Sequence, residues 1–161
     1  SSNNLYQSVR FIATLLQGAE KDSQMGDTTI VSAEDIEPSK QYLLSQIKKF
    51  AEDDSLLKNE DLAFFLYRWK EWESKEAVQS YVNKLISTKQ GVINLLRGFT
   101  SKVYSTAGDY FHLDKKGLSE FISIENLDQA ISLITKEDIA KMSEEERRAF
   151  DLYSKPSKRD R

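Results

Sequence analysis

The sequence predicts an all-α fold, an irregular bundle of about seven helices, on three observations. Apolar residues recur at i, i+3, i+4 and i+7 spacing along most of the chain. Two prolines and six glycines among 161 residues leave few interruptions. No apolar run approaches the roughly 18 residues of a membrane span, so the apolar faces are expected to meet one another in a core. A chain of this length can bury roughly two-thirds of the surface it exposes when unfolded.

The first helix is marked by Leu5, Val9, Ile12 and Leu16 on one face, with Phe11 and Leu15 beside it. It should run to about residue 20, with Asn3 or Asn4 as cap. From Asp22 to Pro38 the helical period stops. Gly26, the β-favouring run Thr28–Val31 and the acidic Glu34, Asp35 and Glu37 predict a long loop over 22–38 with one short strand. Pro38 suits the first turn of a second helix, where its missing N–H costs nothing, and Leu43, Leu44, Ile47, Phe50 and Ala51 supply a buried stripe ending near Asp53.

Asn59 is placed to cap the next helix, with Glu60 and Asp61 where the helix dipole favours negative charge. That helix, LAFFLYRWKEWE over 62–73, is apolar around most of its circumference and is expected to be the central post of the domain. Its Trp69 and Trp72 resemble a platform for a ring-shaped ligand. Their helical spacing with Leu62, Phe65 and Leu66 favours core packing instead, where Trp69→Ala costs about 3–5 kcal/mol.

Ser74 and Thr88 cap two further helices, with stripes at Val78, Tyr81, Val82, Leu85 and Ile86, then at Val92, Leu95, Leu96, Phe99 and Val103. Such short connections force neighbours to pack, which predicts a three-helix unit over 59–104. Tyr110–Leu113 reads as extended, of a length to form one very short β pair, 28–31 with 110–113. A helix from about Lys115 to Ile122 follows, then one bearing Leu127, Ala130, Ile131 and Ile134. Ser143 and Glu146 stand at capping-box spacing before Ala149, Phe150, Leu152 and Tyr153. Residues 1–153 thus read as a single helical domain with its compact core at about 59–153, and 154–161 as a basic flexible tail.

Several chemistries find no support. The formal charge of -3 gives no basic footprint for nucleic acid. The absence of cysteine excludes thiolate metal sites and cysteine nucleophiles and fits a cytoplasmic address, or the cytoplasmic side of a membrane-associated protein. No glycine is followed by lysine as a P-loop requires, and Gly91 and Gly98, seven apart in an apolar pattern, read as helix residues. His112 is the lone histidine, expected to be structural or at the surface, so no two-histidine zinc site can form. The acidic clusters at 52–54 and 59–61 lack the glycine and alternating ligands of a calcium loop, and Glu144–Glu146 reads as a capped first turn. Lys155, Lys158, Arg159 and Arg161 read as a solvated terminus. No catalytic, cofactor-binding or metal-ligating residue is therefore expected. The candidates for interaction are Arg68, set among aromatics, and Arg97, which follows Leu95 and Leu96; either could reach a phosphate or carboxylate from the edge of an apolar face.

The segment LYRWKEWESKEAVQSYVNKLISTKQGVINLLRGFTSKVYS, followed by GDYFHLDKKGLSEFISIENLDQAISLI, resembles the helical C-terminal region of bacterial KAP-type P-loop NTPases, over about residues 60–153. The resemblance implies a preceding NTPase domain in the full protein, which would bind ATP and magnesium, and membrane-associated segments in parts of that family. None of its nucleotide-binding residues has a counterpart here, and the first residues, SSNN, suggest an excised fragment. The expected function is a non-catalytic accessory or regulatory domain that packs on the NTPase domain or another protein partner. A freestanding protein-interaction module and an enzyme of unrecognised type stay open, as do the partner and the oligomeric state.

Overall fold

The computed structural model describes residues 2–26, 31–53, 62–100, 105–106, 109–110 and 114–154. Among them lie nine helices: α1 Ser2–Gln24, α2 Ala33–Ala51, α3 Leu62–Trp72, α4 Lys75–Leu85, α5 Lys89–Gly98, α6 Lys115–Leu118, α7 Ile124–Ser132, α8 Lys136–Ala140 and α9 Glu144–Ser154. The all-α reading holds.

α3 is the central post that its composition predicts. Every residue from Leu62 to Trp69 is buried, as is Trp72, and the helix packs against α2, α4 and α5. Phe65 meets Tyr6 of α1 and Phe50 of α2 edge-on, with centroids 6.3 and 5.7 Å away, while Tyr67 meets Phe99 and Phe121 on the other side. Such tilted and edge-on pairs are the favoured geometry of aromatic quadrupoles. The buried residues from Tyr6 to Tyr153 form a continuous cluster, so the core begins in α1 rather than at about residue 59.

The caps expected at Ser74, Thr88 and Ser143 act where the sequence puts them, whereas α1 already begins at Ser2, so Asn3 and Asn4 lie inside it instead of capping it. The Ser74 and Thr88 hydroxyls accept the N–H groups of Ala77 and Gly91, at 3.1 and 3.0 Å. Ser143 and Glu146 exchange reciprocal bonds of 2.9 and 3.1 Å at the start of α9. The three-residue connection between α4 and α5, Ile86 to Thr88, brings Gly91 against the end of α4, where a Cβ would stand 1.7 Å from the Leu85 carbonyl oxygen. At Gly98 a Cβ would fall 2.8 Å from Leu62, so both glycines mark close approaches inside the three-helix unit.

Five expectations are corrected. The loop over 22–38 shrinks, because α1 continues to Gln24 and α2 begins at Ala33. Glu34 and Asp35 therefore occupy a first helical turn, where the dipole stabilises them. Pro38 lies inside α2 instead of at its start; the carbonyl it cannot serve, that of Glu34, belongs to this exposed first turn and can be solvated.

The helix expected over 115–122 is a single α6 turn, and the sequence after Ile134 supplies the extra helix α8 through a Thr135/Asp138 capping box. Tyr110 pairs with Ser105, in a two-residue antiparallel hairpin of β1 Ser105–Thr106 with β2 Asp109–Tyr110. A local hairpin closes a shorter loop than a pairing with 28–31 would. Positions 28–30, 54–61, 101–104, 111–113 and 155–161 lie outside the described residues, and with them His112, Asn59, Val103 and the basic tail.

The fifth correction concerns α1. Tyr6, Val9, Ala13, Leu16 and Gln17 face inward, whereas Leu5, Phe11, Ile12 and Leu15 are 51, 65, 49 and 48% exposed. The helix carries two apolar stripes, and the period alone does not say which one its neighbours take. Tyr6 decides it, with its ring 4.3 Å from Phe50 and its hydroxyl donating to Asp53 at 3.1 Å.

Candidate functional site

Arg68 projects from α3 into the interior and is fully buried. Its Nη1 donates to Glu71 Oε2 at 2.5 Å, one turn on, and its guanidinium lies 5.2 Å from the centroid of Phe64. The other Glu71 oxygen accepts from Nε2 of Gln17 on α1 at 3.4 Å, and Arg10 stands 5.7 Å from the far-reaching Phe64 ring. This group holds α1 to α3. Burying a guanidinium is tolerable only with a carboxylate and an aromatic face at hand, and Glu71, 49% exposed, keeps one side in water. The sequence finds the partner type for Arg68, a carboxylate, but the residue points inward and offers nothing to a second molecule.

That position makes Arg68 a matter of volume more than of charge. Replacing a buried ion pair with apolar side chains is often neutral, and removing one partner is costly only when the other stays buried; Glu71, half exposed, can return to water. Arg68→Met is expected to change stability by less than about 1.5 kcal/mol, while a charge reversal at the same position is expected to cost about 3–5 kcal/mol. Urea midpoints of the two variants check this.

Arg97 serves another interface, on the last turn of α5, which packs against α9. It is half-buried and contributes to holding the Glu146 carboxyl below its ordinary range; the Ser143 backbone N–H is the larger cause. Between α5, α8 and α9 lies a cleft of about 240 Å³, walled by Lys89, Gln90, Asp138, Lys141 and Glu146 over Ile93 and Met142. Its polar groups are largely engaged with one another. Lys89 bonds Asp138 at 2.9 Å and Gln90 bonds Glu146 at 2.9 Å. The Asp138 carboxyl, which also accepts the Thr135 backbone N–H at the α8 start, is held down to about 2. Pockets for drug-sized ligands measure roughly 300–1,000 Å³, so this cleft suits a side chain better than a cofactor.

The two arginines therefore belong to separate interfaces. Trp69 and Trp72 are 7 and 8% exposed; Trp69 Nε1 donates to Glu73 at 3.0 Å and its ring lies 5.6 Å from Tyr81, so the tryptophans are core residues and not a platform. Among the described residues no group of three histidine, cysteine or acidic side chains is placed to hold a metal ion, and no helix is long and apolar enough to cross a membrane.

What the sequence reading missed is the outward face of α1. Leu5 and Ile12 are seven residues apart, with Phe11 and Leu15 beside them, in a stripe that stays about half exposed or more. The signal was present, since a helix with apolar residues at 5, 6, 9, 11, 12, 13, 15 and 16 has more apolar circumference than one neighbour can cover. No protein-family model, curated protein or solved structure matches the chain.

Proposed function

We propose that this chain is a non-catalytic helical module that acts by packing the outer face of α1 against another protein surface. The carrying observation is that stripe: four large apolar side chains, each about half exposed or more, on one helix whose opposite face is fully engaged. Scattered apolar residues are ordinary on a surface, but a contiguous row marks a docking face. Helix faces of this kind are read by partners through anchors at i, i+3, i+4 and i+7.

The setting implied by the sequence resemblance is the C-terminal accessory region of a KAP-type P-loop NTPase, with the docking face serving its regulation. In the full-length protein, the double substitution Phe11→Asp with Ile12→Asp is then expected to shift NTP turnover at least severalfold while the helical signal of the module is kept. These positions replace the arginines as the test of the interface, because reversing the charge of the buried Arg68 would perturb the fold. Unchanged turnover rejects the NTPase setting and leaves the freestanding interaction module.

A further inference from the structure

Resting on the reading of α1 as a docking face, we infer that its occupant is a second copy of this chain, packed antiparallel along α1. The outer stripe is self-complementary about a two-fold axis near the middle of the helix. With the axis between residues 13 and 14, the two copies of Ser2–Gln24 overlap along their whole length, about 35 Å at 1.5 Å per residue. Ile12 of each copy then meets Leu15 of the other, and Phe11 of each copy lies over Gly18 of the other. Both pairings occur twice, as an isologous interface requires.

Gly18 gives the register a physical reason. It sits inside a helix, where glycine costs about 1 kcal/mol relative to alanine. A Cβ placed there would meet nothing within 4 Å, so the chain's own packing does not demand the glycine. An aromatic ring from outside would demand it. Phe11, at 65% the most exposed of the stripe, is the large side chain that the two-fold axis delivers to that notch.

Charge selects the direction. Asp22 continues the outer row of Leu15, seven residues on, and a parallel pair would set Asp22 against its own copy. In the antiparallel pair Asp22 falls near Leu5 at the rim, like charges stay apart, and the two helix dipoles oppose. The four apolar side chains expose on the order of 400–500 Å², against about 800 Å² per partner in a standard interface. With polar neighbours supplying the remainder, the size fits a reversible dimer and not an obligate one.

The chain contains no cysteine, so single thiols can be introduced without background. Phe11→Cys and Gly18→Cys chains, mixed and treated with a short bismaleimide, are expected to cross-link to each other in preference to either with itself. Sedimentation of the unaltered chain should show a concentration-dependent dimer, weakened at least tenfold by Ile12→Asp with the helical signal retained. Preferential linking of Phe11→Cys to itself overturns the antiparallel register. A chain that sediments as a monomer at all concentrations, with no cross-link, overturns the second copy as occupant. The turnover assay on the full-length protein separately decides whether the face serves another protein.

Discussion

Gly91→Ala is expected to destabilise the protein by about 3 kcal/mol, at the upper end of what overpacking costs. The added Cβ would stand 1.7 Å from the Leu85 carbonyl oxygen, a backbone atom that no rotamer change can move. It would also lie 3.0 Å from Thr88 Oγ1, the cap that accepts the Gly91 N–H, so relieving the clash pulls on the start of α5 as well. Losing such a cap costs about 0.5–2 kcal/mol by itself. For a chain of this size the total lowers the melting temperature by roughly 6–12 °C. A thermal scan with no more than about 2 °C of change would show that α4 and α5 do not approach as described.

Trp69→Ala is expected to cost about 3–5 kcal/mol, from lost burial and the cavity left behind. The ring is 7% exposed, stacks obliquely on Tyr81 of α4 and donates to Glu73, which in turn pairs with Lys48 of α2 at 2.7 Å. Its removal therefore loosens α3 from two neighbours at once. Against the roughly 5–15 kcal/mol by which a domain is stable, this is a large fraction, and the urea midpoint should fall accordingly. A shift of less than about 1 kcal/mol would mean that the indole is not core.

Where one physical signal dominates, the sequence was legible. The density of aromatics in 62–72 leaves that helix nowhere to go but the interior, and the caps at Ser74, Thr88 and Ser143 act through local bonds. Legibility fails where two signals compete. Pro38 reads as a helix start, but Glu34 and Asp35 stabilise a turn before it. In α1, two stripes satisfy the helical period equally, and Tyr6, through Phe50 and Asp53, with Gln17, through Glu71, fixes which is inside.

Arg68 illustrates the same difficulty at the candidate site. Its chemistry, a guanidinium seeking a carboxylate, is legible; its direction is not, because Glu71, Gln17 and Phe64 come from two helices whose packing the sequence does not specify. The outer face of α1 emerges only after the inner one has been assigned.

α1 commits one apolar face to its own core and, in the proposed role, offers the other to another chain. Urea unfolding of Ile12→Ser and Leu16→Ser, followed in solutions dilute enough for the chain to be alone, tests it most directly. Leu16 is 2% exposed and its substitution is expected to cost about 3 kcal/mol or more, while Ile12, half exposed, should cost less than about 1 kcal/mol. Equal losses at the two positions would place both stripes inside the fold and contradict the claim.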